Sequence, residues 1–159
     1  MVLYLGTDAQ LETTEFSPDA PAFYIGTPSA HWVTPGIASE TEAAVREHFS
    51  TPHVYYLGSH MNCGCGFGYG LDPEWYEWAA EFPDQVDLDP QEAISRRQLV
   101  ELLQSLVEAK HNVEVFVSEG SFLNEPPDYR NQVSPEAFLD PASVLNGHLL
   151  AVTGEPLPH

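Results

Sequence analysis

Residues 3–7 are Leu-Tyr-Leu-Gly-Thr, and the predicted fold depends on this pattern. The same order of an apolar or aromatic residue, a tyrosine, an apolar residue, a glycine and a hydroxyl residue returns at residues 23–27 and at residues 55–59. Short apolar runs that end in a glycine are typical of buried β-strands. Because the spacing between the copies is unequal, they predict three strands of one sheet rather than the units of a repeat array.

Beyond these three runs, the sequence predicts two more strands. One covers residues 111–117, where valines alternate with other residues, and a weaker one covers residues 148–152. A long loop is predicted between them, from Glu119 to Val133.

Three helices are predicted between the strands. The first extends from about Ser39 to Phe49, the second from Pro73 to Phe82 and the third from Pro90 to about Lys110. Asp89 is the expected N-cap of the third helix. This helix carries a continuous apolar stripe, which predicts that it packs on the sheet: Leu99, Leu102, Leu103, Leu106 and Val107.

The order of strand, helix and strand between residues 23 and 117 favours parallel pairing, with the helices as right-handed crossovers. We therefore expect an α/β fold in which a mostly parallel central sheet of four or five strands has about three helices packed on it. The length of 159 residues suits one domain, predicted over residues 1–153. Residues 154–159, which include two prolines, are predicted to form a flexible C-terminal tail.

Charge limits the classes of partner. The chain has 24 acidic and 5 basic side chains and a formal net charge of −19. Nucleic acids and anionic membranes require clustered cations, so both are poor partners. No window holds the roughly 18 apolar residues of a membrane-spanning helix, and the first residues lack the basic start of a signal peptide. We therefore expect a cytoplasmic protein.

The acidity favours a basic protein as partner, and the main hypothesis is a small binding protein without catalysis. Residues 72–92 contain eight carboxylates and no basic residue. A merely solvated acidic face is the simpler interpretation of such a charge run. Trp75 and Trp78 lie at helical spacing within this region, which predicts that they contact the core.

The most unusual segment covers residues 59–70, where four glycines alternate and both cysteines lie between them. A glycine loop between a strand and a helix can cradle phosphate. Neither phosphate-loop spacing is present, however, and carboxylates fill the first turn of the helix that follows. The sequence therefore disfavours nucleotide binding.

A zinc site is the alternative hypothesis for this segment. His60, Cys63 and Cys65 offer one imidazole and two thiolates, which are ligands that zinc prefers. If the central strands are parallel, His31 emerges after the second strand at the same edge and is the expected remote ligand. Asp8 is a second candidate if the first strand, whose pairing direction stays open, is also parallel. Water in the fourth position would make the protein a small metallo-hydrolase.

Two further interpretations of the cysteines stay open. Cysteine often packs simply as a small buried apolar residue. The other interpretation is a nucleophilic or redox thiol with His60 as base, which acidic surroundings disfavour because they raise the pKa of a thiol. A structural disulfide is not expected, because cysteines one residue apart would close only a small, strained ring.

Overall fold

One mixed sheet forms the centre of the protein. The computed structural model describes residues 1–18, 22–28, 38–69, 73–82, 89–119 and 125–154. The sheet has six strands in these ranges, in chain order β1 (Val2–Thr7), β2 (Phe23–Gly26), β3 (His53–Ser59), β4 (Val113–Ser118), β5 (Tyr129–Val133) and β6 (His148–Val152). Their order across the sheet is β2-β3-β1-β4-β6-β5.

The prediction of a mostly parallel sheet of four or five strands is wrong. Neighbouring strands pair antiparallel throughout the described sheet, with the single exception of β5 beside β6. The chain leaves β2 and enters β3 at the same edge, because Phe23 pairs with Ser59 and Gly26 with Tyr56. The connection between these two strands, although it contains a helix, is therefore a long hairpin connection rather than a crossover.

The error has a physical origin in β1, the central strand. Strands β3 and β4 point the same way, as the strand and helix order indicates, but β1 lies between them and is antiparallel to both. All six residues of β1 are buried, since both faces of the sheet are covered. A strand buried on both faces loses the alternation of apolar and polar residues that is typical of antiparallel sheets.

Three α-helices lie in the described part of the chain, close to the predicted positions: α1 (Ala38–His48), α2 (Pro73–Glu81) and α3 (Pro90–Glu108). The predicted N-cap of α3 is confirmed, because the Asp89 side chain accepts a hydrogen bond from the Gln91 amide. The apolar stripe of α3 covers one face of the sheet, where Leu99 and Leu103 pack with Leu3 and Leu5 of β1.

The other face of the sheet has its own core. Val45 of α1 and Phe49, which follows it, pack there against Tyr4, Tyr56 and Phe116. The two cores divide each central strand by its period of two, so that alternate residues point to opposite faces. None of the described helices is long and apolar enough to cross a lipid bilayer.

Strand β5 is absent from the prediction, which placed a loop there. Its sequence, Tyr-Arg-Asn-Gln-Val, is polar and its first four residues are exposed, because it forms an edge of the sheet. The hydrogen bonds to β6 define this strand, and they leave no hydrophobic pattern in the sequence. Residues 155–159 of the predicted tail lie outside the described residues.

Candidate functional site

The glycine and cysteine segment forms a loop at one edge of the sheet, and residues 59–69 are called the sulfur loop below. It leaves the end of β3, turns through a 3-10 helix at Gly64–Phe67 and precedes α2. Because β1 is antiparallel to β3, the loop lies beside the start of β1. The Met1 amino group is 3.6 Å from Sγ of Cys65.

Hydrogen bonds hold the first turn of the sulfur loop. The hydroxyl of Ser59 donates to the carbonyl of Cys63 at 2.6 Å, and the Ser59 amide donates to the same oxygen at 3.2 Å. Asn62 occupies the left-handed region with φ of 60°. Two buried tyrosines fix it there, since Tyr24 donates to its side-chain oxygen at 2.5 Å and Tyr56 to its carbonyl at 3.3 Å. The turn is therefore held from both its backbone and its side chain.

Two glycines of the loop are required by its geometry. A Cβ atom on Gly64 would lie 2.9 Å from both the Met1 carbonyl oxygen and Cδ1 of Leu3, so only glycine lets the loop pack this closely on β1. Gly68 has φ of 72°, which closes the 3-10 helix. The carbonyls at this end are also bound, because Arg96 donates to Phe67 at 2.6 Å and Tyr76 donates to Gly68.

Both cysteines are free thiols, but they differ in environment. Cys63 is buried and 9 % exposed, whereas Cys65 is exposed. Only Gly64 separates them along the chain. The loop therefore holds one accessible and one covered thiol close together.

The two thiols also differ in pKa. Burial raises the pKa of Cys63, and the contact with the Cys65 sulfur raises it further. For Cys65, burial acts in the same direction, but the hydrogen bond from Cys63 and the positive charge of the Met1 amino group outweigh it and lower the pKa. The expectation that acidic surroundings would raise thiol pKa values therefore does not hold for Cys65, mainly because the hydrogen bond from Cys63 favours its thiolate.

His60 is committed to α3 rather than to the sulfurs. Its Nδ1 lies 3.1 Å from the hydroxyl oxygen of Ser95, and its Nε2 lies 3.0 Å from Oδ2 of Asp89. Both ring nitrogens therefore have a hydrogen-bond partner. The histidine thus joins the end of β3 to the N-terminus of α3.

This set has the residue types of a serine hydrolase triad, but its geometry does not suit one. Ser95 is completely buried, and its hydroxyl donates to the carbonyl of Ala22 at 2.6 Å. A serine nucleophile must be accessible to substrate and must give its proton to the histidine. Ser95, His60 and Asp89 therefore form a structural connection.

The predicted zinc ligands are only partly assembled. Among the described residues, no group of three or more histidine, cysteine, aspartate and glutamate side chains is arranged to hold a metal ion. His31, the remote ligand expected from a parallel sheet, lies outside the described residues. Asp8 lies at the opposite edge from His60, where its carboxylate is 2.8 Å from Nδ1 of His111. The zinc site stays a prediction, and the sheet does not provide the parallel strands from which its remote ligand was expected.

A second candidate surface is the exposed side of α2. Trp78 is 41 % exposed and Phe82, just beyond the helix, is 38 % exposed. The prediction that Trp78 contacts the core is thus wrong. The surrounding exposed side chains are the carboxylates Glu74, Glu77 and Glu81.

One residue that the sequence interpretation missed is Ser95, the partner of His60. It lies four residues before Leu99, on the buried stripe of α3, where a small polar residue interrupts the apolar pattern. A buried polar residue on such a stripe indicates a required hydrogen bond. The contact between Met1 and Cys65 has no such signal, because only the pairing of strands brings these residues together.

No protein-family model, no curated protein and no solved structure matches this chain.

Proposed function

We propose that this protein binds a basic protein partner through the exposed side of α2, called the α2 face below. The observation that carries the proposal is the exposed aromatic pair of Trp78 and Phe82 in the midst of carboxylates. Aromatic residues are enriched in the centres of protein interfaces, where they contribute most of the binding energy.

The α2 face consists of residues at helical spacing: Glu74, Glu77, Trp78, Glu81 and Phe82. This spacing of i, i+3, i+4, i+7 and i+8 brings the five side chains to one side of a helix. The rings of Trp78 and Phe82 have centroids 6.0 Å apart, so they form one apolar patch. The patch has the arrangement of an interface core with a polar rim.

The charge around the patch defines the chemistry of the partner. The sequence contains no lysine or arginine between Arg46 and Arg96, so α2 carries no cation of its own. Arg96 is engaged with Glu92, 3.7 Å away, and with the Phe67 carbonyl. The complementary surface is therefore one where lysines and arginines surround an apolar pocket, which would also increase the rate of association.

The two parts of the α2 face are expected to contribute differently. Truncation of a central tryptophan typically costs about 2 kcal/mol or more, which is about 30-fold in affinity. Exposed ion pairs at the rim contribute about 0.2–1 kcal/mol each and weaken as salt increases. Removal of the Trp78 side chain should therefore lower the affinity for the partner. Reversal of the charge of the glutamates should mainly change how the affinity depends on salt.

The test uses a synthetic amphipathic helical peptide with lysines on one face and leucines on the other as the probe. Its affinity is measured by anisotropy at low and at physiological salt. We expect binding by the natural chain, a loss of at least about 10-fold in Trp78→Ala, and a weaker salt dependence in the double variant Glu77→Lys, Glu81→Lys. The matched control is Glu101→Lys, Glu108→Lys, which makes the same change of charge on exposed positions of α3.

Two results would refute the proposal. The first is an absence of peptide binding by the natural chain at low salt. The second is an equal loss of binding in the α2 and α3 double variants, since this would mean that total charge alone attracts the peptide.

A further inference from the structure

We propose that Cys63 and Cys65 form a reversible dithiol and disulfide couple, oxidised by a low-molecular-weight disulfide such as oxidised glutathione. The site is a redox modification site at the edge of the sheet. It is independent of the α2 face, and neither proposal needs the other.

The arrangement of the two thiols suits a stepwise exchange. Cys65 is exposed and therefore meets a soluble disulfide first, whereas Cys63 is 9 % exposed and is protected from direct attack. Only Gly64 separates the two cysteines along the chain, so Cys63 lies close to the bond that it must attack. One accessible and one resolving cysteine are the usual components of a redox couple.

The chemistry balances with the oxidant alone. The thiolate of Cys65 attacks one sulfur of the small disulfide, forms a mixed disulfide and releases one small thiolate. The sulfur of Cys63 then attacks Sγ of Cys65, its proton passes to solvent or to the second departing thiolate, and a bond between Cys63 and Cys65 forms. Two protein thiols are oxidised, and one small disulfide is reduced to two small thiols.

The surrounding loop makes the product easy to reduce again. The bond would close a small ring around Gly64, which is packed against the Met1 carbonyl and Leu3. The carbonyl of Cys63 is held by two hydrogen bonds from Ser59, so the backbone has little freedom to relax. A strained disulfide is more readily reduced than a relaxed one. The couple therefore fits a reversible switch rather than a structural cross-link.

His60 is not needed as a base in this scheme. Both of its ring nitrogens are engaged, with Ser95 and with Asp89. The exchange depends on the two sulfurs and on the accessibility of Cys65. Replacement of Cys65 should consequently prevent the first exchange, whereas replacement of Cys63 should prevent only the second. The two variants therefore distinguish the steps.

The experiment incubates the folded protein with oxidised glutathione and follows intact mass and free thiols over time. The natural chain should lose both thiols and retain no glutathione. Cys63→Ser should stop at a mixed disulfide with one glutathione, and Cys65→Ser should react at least about 10-fold more slowly, because its remaining thiol is covered. Met61→Leu, which removes an exposed sulfur that takes no part in exchange, should behave like the natural chain.

The proposal is overturned if the natural chain accumulates glutathione at Cys65 without closing the second bond. It is also overturned if Cys63→Ser and Cys65→Ser react at equal rates while both retain the native circular dichroism spectrum. If either serine variant fails to fold, the natural chain still decides the question through peptide mapping, since the expected product links residues 63 and 65 within one chain. A disulfide between two copies of the chain would equally contradict the proposal.

Discussion

Replacement of Gly64 by alanine tests how closely the sulfur loop packs on the sheet. The added methyl group would lie 2.9 Å from the Met1 carbonyl oxygen, 2.9 Å from Cδ1 of Leu3 and 3.1 Å from Cα of Val2. Val2 and Leu3 are almost completely buried in β1, which is paired on both sides. Because neither neighbour can move without disturbing the central strand, the loop must shift instead.

The magnitude follows from two opposing effects. Overpacking of a well-packed site costs about 1–3 kcal/mol. Alanine also reduces the entropy of the unfolded chain relative to glycine, which returns about 0.4–1 kcal/mol. The free energy of unfolding should therefore fall by about 1–2 kcal/mol, and the Tm by about 2–8 °C for a chain of this size.

Urea denaturation followed by tryptophan fluorescence, with a thermal melt as a second measure, gives both quantities. Gly154→Ala, at an exposed position, is the matched control. Among the described residues, its added methyl group would meet only the side chain of Val107, whose Cγ1 lies 3.0 Å away. We expect this control to stay within about 0.5 kcal/mol of the natural chain. A Gly64→Ala variant that is as stable as the natural chain, or more stable, would refute the close packing of the loop on β1.

Three other predictions concern stability and metal content. The hydrogen bond from the Gln91 amide at the start of α3 is the main cause that holds the pKa of Asp89 below its ordinary value. The carboxylate therefore stabilises the fold above about pH 3.9, and this contribution is lost as the pH falls through the lower pKa of the folded state. Asp89→Asn should therefore flatten the dependence of urea stability on pH between about 3 and 5, and an unchanged slope would contradict this. Tyr69→Phe should lower the free energy of unfolding by about 1–3 kcal/mol, because the buried hydroxyl donates to the carbonyl of Phe138 at 2.6 Å; Tyr129→Phe, at a position 61 % exposed, should have no effect, and equal effects would show that the hydrogen bond is unimportant. Metal analysis of protein purified without added zinc should find much less than one ion per chain, since both ring nitrogens of His60 are engaged. One ion per chain that is lost in Cys63→Ser would instead support the zinc hypothesis.

The positions of the main helices and strands, and the surfaces that they bury, could be predicted from local sequence. Local rules are sufficient for this, because a helix with an N-cap at Asp89 and apolar residues at helical spacing buries that stripe in almost any fold. The three short apolar runs that contain Gly6, Gly26 and Gly58 near their ends are strands for a similar reason. Their short length, their aromatic and branched residues and the glycine that ends each run favour a sheet. The glycine and cysteine segment was also recognisable as unusual. Glycine loses the most conformational entropy on folding, so a loop rich in glycine indicates a structural requirement.

The direction of strand pairing was decided only by the tertiary structure. A connection that contains a helix can either cross the sheet or return to the same edge, and the residues of β2 and β3 are equally apolar in both cases. The antiparallel pairing of β1 with β3 placed Asp8 at the opposite end of the strands from His60 and brought Met1 next to Cys65. The edge strand β5 could not be predicted for a related reason. Its hydrogen bonds come from β6, and its exposed side chains carry no apolar pattern.

The chemistry of the candidate sites depended on the same long-range contacts. Spacing along the chain brought His60 near the cysteines, but hydrogen bonds to α3 took both of its nitrogens. Exposure of Trp78 likewise follows from what packs beside α2 and not from its helical spacing. Local sequence determines which groups are present, whereas charge, burial and hydrogen-bond partners depend on distance through space, and that distance is a property of the folded chain alone.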